Sequence, residues 1–153
     1  MATVYSAQRT NAIADPSVNN KANEFAGRVR IAHGTYEASA LASGDVIEMF
    51  TLPDGARLIG GSLAYDALGA STTLSVGYAA HTNAAGTAVS ASAAAYKAAA
   101  STATAGKVDV LATLALGSGS EVDANEDGMV VTATMGGAAG TGTIELTIMY
   151  VVD

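Results

Sequence analysis

The sequence predicts an all-β protein, an antiparallel β-sandwich or jelly roll with an extended N-terminal arm. Three observations predict it. There are seven or eight short runs with strand character, punctuated by Gly, Pro, Asn and Asp; no long helical pattern; and no alternation of strand with helix. A length of 153 residues suits one domain, which buries roughly two-thirds of the surface its unfolded chain exposes.

Residues 1–27 are rich in Asn, Ala, Ser and Thr, contain Pro16 and show no sustained period, so they read as an arm with little structure of its own. From residue 28 the period becomes two, and residues 28–153 read as the sandwich body. In RVRIAHGTYEA, Val29, Ile31, His33 and Thr35 alternate with Arg30, Ala32, Gly34 and Tyr36, as in a strand with one drier face. GDVIEMFTL, residues 44–52, is apolar on both faces, as a strand covered on both sides would be. Pro53, Asp54 and Gly55 supply a turn, and in the next strand, ARLIGGSLAYDAL, Gly60 and Gly61 signal a bulge or a close backbone approach. STTLSVGYA puts Leu74, Val76 and Tyr78 on one face.

Residues 84–105 are an Ala-rich insert of low complexity, read as a long loop with one or two helical turns around residues 89–100. KVDVLATLAL resumes a strand, with Val108, Val110, Ala112 and Leu114 in phase, and GSGS closes it. MVVTATM and TIELTIMYVV are the last strands. Ile144, Leu146, Ile148 and Tyr150 share a face of the final one, and the GGAAGTG between the two reads as a hairpin connection.

The chain has no Cys, so disulfides, thiolate metal sites and a Cys nucleophile are excluded. No apolar run approaches the roughly 18 residues of a membrane span, and the first twenty residues lack a basic-then-apolar leader, so no membrane partner and no standard secretion signal are expected. Residues 1–30 carry four basic groups (Arg9, Lys21, Arg28, Arg30) and two acidic ones (Asp15, Glu24); the remainder carries three basic and twelve acidic. An acidic body argues against nucleic-acid binding, because a phosphate backbone requires a basic surface.

No catalytic motif stands out. His33 and His81 lie far apart and read as strand or loop residues; a Gly-x-Ser-x-Gly elbow and a His-Glu-x-x-His helix are missing. The Gly-rich stretches around Gly117 and Gly140 lack the Lys and the following helix of a phosphate loop. Asp123, Asn125, Asp127 and Gly128 match the opening of an EF-hand loop, but its twelfth position is Thr134, where calcium needs a bidentate Glu, and a strand follows. An acidic turn in which Asn, Asp and Gly follow their backbone preferences is the expectation. The sequence names no catalytic, cofactor or metal residue.

Several stretches taken together resemble the tailed-bacteriophage head decoration, or capsid cement, family. They are YSAQRTN, Pro16-Ser17-Val18, GRVRIAHGTY, GDVIEMFTLPDGARLIGGSLAYDALGASTTLSVGY and the closing TIELTIMYVVD. The resemblance is densest over residues 27–78 and thin through the Ala-rich insert. It implies a sandwich or jelly-roll body on the outer surface of a phage head, made in the host bacterial cytoplasm. The implied partners are the major capsid protein and copies of the chain itself, as a dimer or trimer, with neighbouring shell subunits clamped together. The capsid-interface candidates are Tyr5, Ile13, Val18 and Phe25 as apolar anchors, with Arg9, Lys21, Arg28 and Arg30 pairing with shell carboxylates. The rival readings are a phage tail or fibre module that binds the host, a glycan hydrolase whose acids converge only in the fold, and a calcium-dependent carbohydrate-binding domain.

Overall fold

The structure is a computed structural model and describes residues 4–152. It contains one short helix, α1 (Ala7–Ile13), followed by β1 (Val29–Leu41), β2 (Val46–Leu52), β3 (Arg57–Tyr65), β4 (Thr72–Tyr78), β5 (His81–Thr82), β6 (Ala88–Val89), β7 (Ser92–Ser101), β8 (Gly106–Val110), a 3-10 turn at Leu114–Leu116, β9 (Met129–Gly137) and β10 (Gly140–Val151). Two four-stranded antiparallel sheets have the orders β1-β10-β3-β8 and β2-β9-β4-β7; β5 and β6 form a small separate hairpin.

The order follows from one pairing rule. First pairs with last, β1 with β10, and then β2 with β9, β3 with β8 and β4 with β7, as in a long antiparallel ribbon wound up on itself. That winding is a jelly roll. β9 and β10 lie in different sheets, so the expected hairpin between them is instead a crossing from one layer to the other through Ala138 and Ala139. Ala138 N–H donates to the Ser71 carbonyl at 3.1 Å, which holds that corner.

The core lies between the sheets and is mostly aliphatic. Leu52, Leu58, Leu63, Leu74, Val76, Val131, Met135, Ile144, Leu146 and Ile148 are fully buried there. Ile144, Leu146 and Ile148 share the inner face of β10 as their spacing predicts, with Tyr150 half-buried beside them. At roughly 25 cal/mol per Å² of apolar surface, side chains of this size each contribute about 1.5–3 kcal/mol.

Three elements differ from the sequence reading. The Ala-rich stretch forms β7, a strand paired with β4, because cross-strand pairing and the burial of Tyr96 override the helical preference of Ala. The strand read through residues 107–116 ends at Val110: Leu111 is buried in the left-handed region at φ 58°, and its N–H donates to the Tyr96 carbonyl at 2.9 Å. Leu114, placed in phase with the buried valines by counting, is 86% exposed. In β1 the drier face belongs to Ala32, Gly34 and Ala38, while Val29 and Ile31 point outward. The physical reason is proximity, since a Cβ on Gly34 would lie 2.8 Å from the Met49 carbonyl oxygen of β2. Only small residues fit between these strands.

The bulge expected near Gly60 is present, as the β10–β3 register shifts where Met149 faces Gly60 and Tyr150 faces Leu58. Ile59 is thereby turned outward and exposed.

Candidate interaction surface

The N-terminal segment folds back on itself and is fastened to one end of the sandwich. Ser6 caps α1 by accepting from Arg9 N–H at 3.2 Å, as Ser at a helix N-cap is expected to do. Asn20 ties the helix to the following chain, donating to the Gln8 carbonyl at 3.1 Å and accepting from Asn11 Nδ2 at 3.0 Å. The chain then reaches the body. Asn23, 6% exposed, donates to the Gly55 carbonyl at 3.0 Å.

Arg57, the first residue of β3, is the hub of this attachment. One guanidinium nitrogen donates to the Gly119 carbonyl at 2.7 Å; the other reaches Glu24 at 3.2 Å and Glu121 at 2.9 Å. Lys21 adds an ion pair to Glu121 at 3.1 Å. The charges are partly exposed, so each pair is worth about 0–1 kcal/mol, although a shared guanidinium strengthens the set. Two buried atoms, Asn23 Oδ1 and Arg57 Nε, have no partner among the described residues. Leaving such groups unpaired costs about 1–3 kcal/mol each and weakens the net hold.

The candidates read from the sequence separate into two groups. Tyr5, Arg9, Ile13 and Val18 lie beyond the attachment and are exposed, as is Val4. Lys21 is engaged with Glu121, and Phe25, Arg28 and Arg30 sit where the segment enters β1. Phe25 is 71% exposed, an unusual placement for a phenyl ring among so many small residues. Sequence reasoning missed Glu24, Glu121 and Arg57. Arg57 did carry a signal, being the only basic residue between Arg30 and Lys97.

Elsewhere the acidic turn, the two histidines and Asp66 are committed to structure. Asp123 Oδ1 accepts from Ala84 N–H at 3.1 Å, and Asn125 and Asp127 bond each other at 2.9 Å. Gly128 takes φ 76°, and a Cβ there would lie 2.6 Å from the Leu52 carbonyl oxygen. The stretch is an Asx-type turn leading into β9. Among the described residues, no three His, Asp or Glu side chains are grouped to hold a metal ion.

His33 sits on the outer face of β1 between the hydroxyls of Thr147 at 2.9 Å and Thr35 at 3.1 Å. His81 packs edge-on against Tyr78, with its ring nitrogens 3.1 Å from the Ala79 carbonyl and 3.2 Å from that of Asp123. Asp66 accepts from Thr143 N–H at 3.0 Å, and the bonds from Thr143 hold its carboxyl below the usual value.

No protein-family model and no curated protein matches the sequence. Solved structures do match. The chain is similar over the whole of both chains to one in the cyanophage Pam1 capsid asymmetric unit, with 22% identity and a TM-score of 0.64. It is similar to a chain in the capsid of Ralstonia phage GP4, with 26% identity, a TM-score of 0.62 and coverage of 83% of this chain and 86% of that one. A chain in the acidic stable capsid structure of Helicobacter pylori bacteriophage KHP30 matches at 17% identity and a TM-score of 0.53, covering 81% and 87%. The fold is thus a jelly roll shared with chains of phage capsids.

Proposed function

We propose that the chain is a virion structural protein of a phage head, a decoration or cement protein. In this reading it binds the outer surface of the shell and clamps neighbouring major capsid subunits. The observation that carries the reading is the likeness to the GP4 capsid chain, which combines 26% identity with most of both chains. The acidic body and the absence of any motif for catalysis or phosphate binding in the sequence are consistent with it.

The clamp follows from area and entropy. Val4, Tyr5, Ile13 and Val18 are apolar side chains without cover in the isolated chain, so docking them on a neighbour removes them from water. Arg9, Arg28 and Arg30 supply charge for shell carboxylates. Lys21 acts instead to fasten the segment to its own body. Ordering a free chain costs about 1–2 kcal/mol per residue. The cap on α1 and the Asn11–Asn20 bond already order part of it, which lowers the cost of docking. Repetition over a symmetric shell multiplies whatever each arm contributes.

The test is reconstitution. Heads prepared without this protein are mixed with the purified chain, sedimented, imaged by electron microscopy and heated until DNA is released. The expectation is regular density on the outer surface and a higher release temperature. Heads that neither bind the chain nor gain heat resistance would sink the reading.

A further inference from the structure

We infer that His81 is a pH-sensitive latch, which fastens the β5–β6 hairpin to the acidic turn when its ring is protonated and loosens it when the ring is neutral. The inference rests on the pair of groups that the ring faces. Nδ1 lies 3.1 Å from the Ala79 carbonyl oxygen, and Nε2 lies 3.2 Å from that of Asp123. A main-chain carbonyl only accepts, and a neutral imidazole carries one N–H. The neutral ring therefore serves one carbonyl and turns a nitrogen lone pair toward the other, whereas the imidazolium donates to both. Turning the ring over is no remedy, because carbon atoms would then face the two oxygens. His33 lacks this property. Its partners are the hydroxyls of Thr147 and Thr35, which donate or accept as required, so both charge states of that ring are satisfied.

The latch closes a seam between distant parts of the chain. β5 and β6 have two residues each and pair only with one another, so the hairpin depends on outside contacts for its seat. Among the described residues, three hydrogen-bonding links join it to the turn. They are the His81 ring, the Asn125 N–H donating to the Thr82 carbonyl at 2.8 Å, and the Ala84 N–H donating to Asp123 Oδ1 at 3.1 Å. His81 and Val89 also form one wall of a cavity of about 450 Å³, whose other walls include Tyr78, Tyr96, Leu114 and Met129. The titratable groups lining it with the ring are Tyr78 from β4, Tyr96 from β7, and Glu121 and Asp123 from the chain leading to β9; β6 and the 3-10 turn contribute none. Glu121 is held by Arg57 and Lys21, while Asp54, which accepts from Ala124 N–H at 3.0 Å, and Glu126 and Asp127 add acid to the same turn. No Lys or Arg lines the cavity, so a cation on His81 meets no like charge there. Ordinary carboxylates titrate below the histidine range and ordinary phenols above it, so between about pH 5.5 and 7.5 the histidines are the side chains that change. The third link is therefore complete in mild acid and is lost as pH rises. The inference stands apart from the virion reading, since it concerns the chain alone.

Amide exchange on the full chain reads the seam directly. The Asn125 and Ala84 N–H groups bridge it. Their protection, corrected for the intrinsic pH dependence of exchange, should be about tenfold higher near pH 5.5 than near pH 7.5, as the loss of one charge-assisted hydrogen bond requires. Nitrogen-15 spectra of the imidazoles should show His81 losing its proton over the same interval in which the protection falls. His81→Phe, which keeps an aromatic ring beside Tyr78, should leave both amides at the looser value throughout. Equal protection at the two pH values overturns the inference, and so does a His81 ring that is already neutral near pH 5.5. A pH response of full size in His81→Phe would assign the switch to another group and overturn it too. If His81→Phe does not fold, the two measurements on the parent chain decide the matter without it.

Discussion

Tyr96 is the bulky anchor of a strand otherwise made of Ala, Ser and Lys. The residue is 6% exposed, its ring tilts against Tyr78 at a centroid distance of 5.8 Å, and among the described residues its hydroxyl reaches only the Met129 sulfur at 3.4 Å, a weak acceptor. Burial, with a smaller contribution from Tyr78, pushes the phenol well above its ordinary 10.0. The folded state then holds the proton more tightly than the unfolded chain. Stability from this group is complete below pH 10.0 and is lost as pH rises past it, since unfolding allows ionisation. Tyr96→Phe removes that dependence and gives up only a weak bond. Urea midpoints should therefore be close for the two proteins near pH 8 and should separate near pH 11, with Tyr96→Phe the more resistant. Equal decline in both would show that Tyr96 is not the buried phenol that titrates.

The approach of β1 to β2 places one glycine under a clear constraint. Gly34→Ala sets a methyl 2.8 Å from the Met49 carbonyl oxygen, a main-chain atom at the point where the β2–β9 register shifts, so relieving the clash requires backbone and not merely a side chain to move. We expect a loss of about 1–3 kcal/mol, measured by urea denaturation. A variant as stable as the parent would show that the two strands can part without cost. This contact also explains what the sequence could and could not disclose. Alternation located β4 and β10 because their buried residues are the large ones, whereas β2, read as apolar on both faces, exposes Val46, Glu48 and Thr51 on one of them. In β1 the relation inverts: the space over Met49 admits only Gly34 and Ala, so the large residues face outward. β7 was illegible for a related reason, since its Ala residues favour helix intrinsically and only the pairing with β4 makes the stretch a strand. The attachment hub joins Glu24, Arg57 and Glu121, groups far apart in the chain that no local pattern could link.

At the scale of the whole molecule, the N-terminal segment divides by what holds it. Residues 20–27 are bound to the body through Lys21–Glu121, Glu24–Arg57 and Asn23–Gly55, and a Cβ on Gly27 would collide with Val151. Among the described residues, 4–18 make no such contact with the body, their hydrogen bonds staying within the first 24 residues. Two truncations should therefore behave differently. Removing residues 1–18 takes away α1 and the Gln8–Glu24 bond at 3.3 Å, both exposed, and should change stability by less than about 1 kcal/mol. Removing residues 1–27 also deprives Arg57 of Glu24, Glu121 of Lys21 and the Gly55 carbonyl of Asn23, and uncovers Val151. It should cost about 1–3 kcal/mol more and make the β2–β3 turn exchange its amide protons faster. If residues 4–18 are the part that grips a shell, both truncations abolish tight binding to heads, though only the longer one weakens the body. Equal destabilisation by the two deletions would mean that residues 20–27 are not held as described. Full head binding after the shorter deletion would move the clamp from the arm to the sandwich itself.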